Sequence, residues 1–235
     1  MLAAMLMATG KLAAQESDSA ALARAGIEPD VVSYPEYPDP LIKFNRAIFG
    51  FNDVSYRYVL IPAARSYQHM PAPVRSGIAN FFNNIRTPIP LVNHLIQGKP
   101  GKAGIDLIRF AINSTVGVVG LFDPAAAWFH LERTDTSLSD TLIQYGMSHG
   151  VYLVLPLAGP SNVRDGTAMF ADGYLNPLGY LLDNPESIAV RGFDGFQEFA
   201  PSAPGYLELR SRSADLYIFM RNMHLQGVQR DAEYR

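Results

Sequence analysis

The stretch AGIDLIRFAINSTVGVVGLF, residues 103–122, is the longest apolar segment of the chain, and its reading decides the fold class. Ile105, Ile108, Ile112 and Val116 recur at spacings of three and four, which places them on one stripe of a helix. Leu107, Phe110 and Ala111 widen that stripe well beyond an ordinary amphipathic face. Only Asp106, Arg109, Asn113, Ser114 and Thr115 interrupt it. A helix apolar around most of its circumference is either buried or lies against lipid. Asp106 and Arg109 argue against a free-standing membrane span, because each is costly at the centre of a bilayer. Gly117, Gly120 and Asp123-Pro124 end the segment.

The same pattern extends in both directions. Asp39-Pro40 reads as an N-cap followed by proline at the first helical position. Leu41, Phe44, Ile48 and Phe51 then share one face, with Asn45, Arg46 and Asn52 at its margin. Pro62 is expected to end or bend this helix near Leu60. Residues 74–85 read as a short helix with Ile78, Phe81 and Phe82 inward. Pro88 and Pro90 open another, which carries Leu91, Val92, Leu95 and Ile96 and closes at Gly98. Residues 124–150 form an excursion with Trp128, Phe129 and Leu131, a polar run from Glu132 to Asp140, and a short helix through Leu142 and Tyr145. VYLVLPL, residues 151–157, suits extended backbone, although Pro156 makes it a poor central strand. Ser161 is expected to cap a helix, Pro185 to start one, and a last helix to run from about Tyr206 to Leu225. With 17 prolines and 19 glycines, the chain reads as all-α. The expected architecture is a ring-like arrangement of short and medium amphipathic helices, with little or no β.

Of the 235 residues 48% are hydrophobic and 17% charged, against about a quarter charged in ordinary soluble domains. Too little charge to cover a normal surface implies that part of the exterior faces something other than water. A mean hydropathy of +0.03 argues against a multi-span protein. The net charge of −3 argues against nucleic acid as a partner. Residues 1–14 resemble the end of a signal peptide, residues 15–38 a flexible linker, and residues 39–235 a single helical domain. At about 20 apolar residues per span, the N-terminal stretch is too short to cross a membrane.

Catalytic chemistry is hard to place. The chain has no cysteine, hence no disulfide, thiolate site or cysteine nucleophile. Its five histidines show no metal-ligand spacing, so neither a metal nor another cofactor is expected. There is no GxSxG elbow, Ser-x-x-Lys pair or phosphate loop. Arg164 and Asp165 are adjacent in sequence, which on a helix points to two separate partners rather than a catalytic pair. What recurs is Asn, Gly and Pro at helix ends beside apolar faces. Capping and turn chemistry explains these positions; so does a set of helices resting in a membrane interface or enclosing an amphipathic passage.

One resemblance separates these readings. The strings Asp39-Pro40-Leu41, Phe44-Asn45-Arg46 and Phe51-Asn52 are similar to the opening motif of the MlaA/VacJ family. In the same order follow Asn80-Phe81-Phe82-Asn83-Asn84, Leu91-Val92-Asn93, Gln97-Gly98-Lys99-Pro100, Asn113-Ser114-Thr115 and Gly120-Leu121-Phe122-Asp123. Tyr152 to Leu157, Gly159-Pro160-Ser161, Arg164-Asp165-Gly166 and Asn176-Pro177 complete the set. The resemblance implies a non-enzymatic outer-membrane component of an intermembrane phospholipid transport system, on the periplasmic side of that membrane. Such a protein removes mislocalised phospholipid from the outer leaflet and passes it to the periplasmic carrier MlaC. It also implies association with a trimeric porin and a ring of helices around a channel.

On that reading Phe44, Ile48, Phe51, Ile105, Ile108, Ile112 and Val116 supply channel wall or membrane contact. Asn45, Arg109 and Asn113 form a polar track or brace helix ends. Gly120, Gly146 and Gly150 act as hinges of a hairpin that gates the passage. Residue by residue, core packing and capping account for the same positions. Family members carry a lipidated N-terminal cysteine, which this sequence lacks; either a longer precursor supplies it or the helices alone hold the membrane. The rival expectations are a periplasmic helical scaffold for porins or envelope proteins, and a lipid hydrolase, for which no nucleophile is in place.

Overall fold

The computed structural model describes residues 37–233, so residues 1–14, read above as a signal-peptide remnant, and nearly all of the expected linker lie outside the described residues. The first helix, α1 (Ile42–Ser55), is not capped by Asp39 as the sequence suggested; Leu41 holds the N-cap position. The Asp39 carboxylate is used instead as an acceptor for the Asn45 side chain at 3.0 Å and for the Tyr217 hydroxyl. Pro62 does not end the helix either. A π-helical turn, Tyr56–Leu60, leads directly into α2 (Ile61–Gln68). That wider turn puts Pro62 into a first turn, where a missing N–H costs least.

Prolines in the first turn open α3 (Ala72–Ile85), α4 (Pro88–Ile96) and α5 (Pro100–Thr115). The Asp123 side chain caps α6 (Pro124–Phe129), and a reciprocal Ser137–Asp140 capping box opens α7 (Leu138–Gln144). The extended stretch is half of a small antiparallel hairpin, β1 (Tyr152–Leu155) and β2 (Gly159–Asn162), with Tyr152 opposite Asn162 and Leu155 opposite Gly159. Pro156 falls in its turn. Asn162, not Ser161, caps α8 (Val163–Leu175): its side chain accepts the Asp165 N–H at 2.9 Å.

The chain continues as α9 (Leu178–Leu181), α10 (Glu186–Phe199), a 3₁₀ turn (Ala200–Ser202), α11 (Ala203–Arg212) and α12 (Leu216–Glu233). The single last helix expected from the sequence is therefore two. Ser213 turns extended, and Asp215 restarts the helix by accepting the Ile218 N–H at 3.2 Å.

Packing contacts between these elements form a closed circuit. α1 packs on the hairpin, the hairpin on α8, α8 on α7, α7 on α4, and α4 on α5. From α5 the circuit runs through α3 and α10 to α2, which continues from α1. The result is the ring-like all-α architecture that the prolines and glycines suggested.

Its burial pattern is inverted relative to a water-soluble protein. Asn45, Asn52, Asn93, His94, Asp106, Arg109 and Asn113 are buried, while Phe44, Phe51, Leu95, Ile96, Leu107, Ile108 and Phe110 are exposed. Of the three residues expected inward on α3, only Phe82 is fully buried. One conventional apolar core exists, where Tyr56, Ile61, Ala64 and Tyr67 meet Ala200, Ala203 and Tyr206. Among the described residues no helix is long and apolar enough to cross a membrane.

Candidate functional site

Buried polar side chains must find partners inside the protein, and here they hold the ring together. Asn45 donates to the Tyr152 carbonyl at 3.1 Å and accepts the Val154 N–H at 3.0 Å. Asn52 repeats the pattern, donating to the Leu155 carbonyl at 2.8 Å and accepting the Leu157 N–H at 2.7 Å. The Tyr56 hydroxyl takes the Leu157 carbonyl at 2.8 Å. The spacing explains the match. Seven residues of helix rise about 10.5 Å, close to the roughly 10 Å covered by three residues of strand. The motif of paired Phe-Asn dipeptides therefore sets each asparagine on the free edge of β1 and leaves the neighbouring Phe44 and Phe51 outside.

A second brace lies on α5. Arg109 donates to Asp123 at 2.8 Å and to the Leu131 carbonyl. Asn113 donates to Asp123 at 2.9 Å and accepts the Ala125 N–H at 3.1 Å. Burial alone would raise the Asp123 carboxyl, but the hydrogen bonds from Arg109 and Asn113 outweigh it and hold that group below its ordinary value. His94 on α4 meets Asp106 on α5 at 2.6 Å, both fully buried. Asn93 joins Asp172 at 3.0 Å and Thr141 at 2.8 Å, tying α4 to α8 and α7.

The apolar residues singled out in the sequence face the other way. Phe44, Phe51, Ile108 and Val116 are 56%, 54%, 51% and 55% exposed, a level that rules out a role in the core. Ile48, Ile105 and Ile112 are half-buried.

Two adjoining open cavities of about 900 and 920 Å³ lie between these helices and share Asp140, Ile143, Arg164 and Val228. None of the seven apolar residues proposed from the sequence lines either one, nor do Asn45, Arg109 or Asn113; Gly146 borders the second. The wall of the first is amphipathic. Ile89, Met169, Met220 and Met223 supply its apolar side, and Arg86, Arg164, Asp165, Arg191 and Asp194 its charges. Most of these charges are matched. Arg164 pairs with Asp165 at 2.9 Å, and each also has the separate partner expected of it: the Met147 carbonyl at 3.3 Å for Arg164 and the Asn162 side chain at 2.6 Å for Asp165. Arg86 pairs with Glu198 and, at 3.5 Å, with Asp194. Burial pushes the Asp194 carboxyl up; at Asp165 burial is outweighed by hydrogen bonds from Ser139 and Arg164, and the carboxyl goes down. Burial likewise lowers His224 in the same wall. These lining residues come from the end of α3 and from α4, α7, β2, α8, α10 and α12, so no local pattern could have assembled them.

The three expected hinge glycines all adopt positive φ: 88° at Gly120, 80° at Gly146 and 71° at Gly150. Gly120 is also pressed against α3, where an added Cβ would lie 2.5 Å from the Cβ of Asn84. Gly146 has open space around it. Gly120→Ala is therefore expected to lower stability by about 2 kcal/mol or more, from steric overlap added to backbone strain. Gly146→Ala should cost about 1 kcal/mol from strain alone. Thermal unfolding in mild detergent ranks the two, and equal midpoints would contradict the packing of Gly120 on Asn84.

A sequence profile of the MlaA lipoprotein family matches residues 37–231. The chain belongs to the MlaA lipoprotein family. It is 34% identical over 205 residues to the intermembrane phospholipid transport system lipoprotein MlaA of Haemophilus influenzae, covering 85% of this chain and 81% of that protein. It is 33% identical over 192 residues to the Escherichia coli protein of the same name, covering 80% and 76%. A chain solved in work on the structural basis for maintenance of bacterial outer membrane lipid asymmetry superposes with a TM-score of 0.70 at 34% identity. That match covers 83% of this chain and all of the solved one. Membership of the MlaA family accords with the inverted burial: helices with polar inner faces and apolar outer faces suit a ring seated in lipid.

Proposed function

We propose that the chain is the outer-membrane component of an intermembrane phospholipid transport system. It takes mislocalised phospholipid from the outer leaflet and passes it to the carrier MlaC on the periplasmic side. The observation that carries this reading is the pairing of exposed apolar helix faces with an open amphipathic cavity of about 900 Å³. Acyl chains need apolar wall and a headgroup needs polar wall, and the cavity offers both. Phe44, Ile48, Phe51, Ile105, Ile108, Ile112 and Val116 serve as membrane contact. Asn45, Arg109 and Asn113 brace the ring.

No bond is made or broken in this process, so the protein is not an enzyme. This is supported by the relatives of similar sequence, which are named as transport-system lipoproteins. Association with a trimeric porin follows from the family resemblance. The hairpin between Gly120 and Gly150 gates the passage, with Gly120, Gly146 and Gly150 as its hinges; of the three, Gly146 has open space around it.

Complementation tests the reading. In a strain lacking its own family member, the full chain is expected to restore outer-membrane lipid asymmetry, and Gly146→Pro with Gly150→Pro to abolish that rescue. Correct localisation without restored asymmetry overturns the transport function. Detergent-purified protein free of lipid, together with failed rescue, points to a scaffold instead.

A further inference from the structure

Among the described residues, one of the three arginines on the cavity wall is left without a partner. Arg86 and Arg164 both pair with carboxylates, whereas Arg191 of α10 has no ion pair or hydrogen bond among the described residues. Its guanidinium lies beside two glycines. A Cβ added to Gly173 of α8 would lie 3.0 Å from Nη2, and one added to Gly179 of α9 would lie 3.7 Å from Nη1. The side chain thus reaches from its own helix toward α8 and α9, and at Gly173 an added side chain would press on it. On the same wall stand Met169, Met220, Met223 and Val228.

An exposed, unpaired arginine beside flexible apolar side chains presents a planar cationic fork next to a surface that adapts to many shapes. The fork geometry matches the paired oxygens of a phosphate group. We infer that Arg191 is the residue that contacts the phosphodiester of a phospholipid in transit, and that Gly173 leaves the room its guanidinium needs on the cavity wall. The methionines take the first carbons of the acyl chains. The inference rests on the transport function proposed above and adds to it a specific point of headgroup contact, selective for a phosphate-bearing lipid over an uncharged glyceride.

The test uses the full chain in mild detergent with dihexanoyl phosphatidylcholine below its micelle concentration. Dihexanoylglycerol is the uncharged control and inorganic phosphate the competitor. Arg191→Gln is expected to weaken binding of the phosphatidylcholine roughly tenfold, the scale of one charge-assisted hydrogen bond, and to leave the glyceride unchanged. Arg191→Lys should retain part of the binding. Gly173→Val, which displaces the guanidinium, should match Arg191→Gln. Arg191 is exposed and makes no internal bond among the described residues, so its variants should keep the wild-type thermal midpoint.

Equal binding of the phospholipid by wild type and Arg191→Gln overturns the role of Arg191 while leaving transport intact. A wild-type chain that binds neither lipid overturns the transport function and this inference with it. Displacement by inorganic phosphate as effective as by the lipid would show a free-anion site and overturn the lipid assignment.

Discussion

Asn45→Leu is expected to destabilise the protein by about 3–5 kcal/mol, while Phe44→Asn one residue away changes stability by about 0.5 kcal/mol or less. For a water-soluble helix the order would be the reverse. Asn45 is fully buried and makes three hydrogen bonds, to Asp39, the Tyr152 carbonyl and the Val154 N–H. Leucine fills nearly the same space but leaves the Tyr152 carbonyl and the Val154 N–H buried without partners, at about 1–3 kcal/mol for each, while Asp39 keeps the Tyr217 hydroxyl. It also frees the edge of β1, through which α1 holds the hairpin. Phe44 is 56% exposed and takes no part in this network, so its replacement falls in the range of surface changes. Urea or thermal unfolding of the two variants in one mild detergent gives the comparison. If Phe44→Asn proves the more damaging, the inverted burial is wrong.

The helices were legible in the sequence because spacing reveals which residues share a face. Spacing does not reveal which face looks inward. Ile105, Ile108, Ile112 and Val116 do form one stripe, yet Ile108 and Val116 point out while Asp106, Arg109 and Asn113 point in. The same periodicity describes a helix whose apolar side meets a core and one whose apolar side meets lipid. The low charge content was the one sequence signal for the second case, and it is global rather than residue-specific. A closer signal lay in the asparagines: polar residues seven apart, at Asn45 and Asn52, match the strand they serve only if they face it.

The continuation through Pro62 was hidden because it depends on a π-helical turn, which adds one residue per turn and leaves no compositional trace. The cavity was hidden for a different reason. Arg86, Arg164, Arg191 and Met220 are far apart in sequence and meet only once the circuit of helices has closed. The resemblance to the MlaA/VacJ family indicated a channel but not its lining, since the motif residues that carry the likeness, such as Asn45, Asn52 and Asn113, are those that brace the ring.

The largest expected effect concerns the outer surface. Replacing Phe44, Phe51, Ile108 and Val116 together with serine should weaken binding to phospholipid vesicles about a thousandfold and leave the folded structure intact. Full burial of such side chains is worth about 1.5–3 kcal/mol each. Because these four are already about half covered by the protein, roughly 1 kcal/mol apiece remains for a membrane to recover. Four such terms sum to about 4 kcal/mol, or three powers of ten in the partition constant. Stability should survive, since none of the four contributes a hydrogen bond to the Asn45, Asn52 or Arg109 braces. Vesicle flotation at fixed protein concentration reads the first quantity and thermal unfolding in detergent the second. Binding within about threefold of wild type would mean that other surfaces hold the bilayer and that these faces are covered by a protein partner, for which the trimeric porin is the first to test. A collapse in thermal stability would mean that the outer face supports the ring itself, and that the division between polar bracing inside and apolar contact outside does not hold.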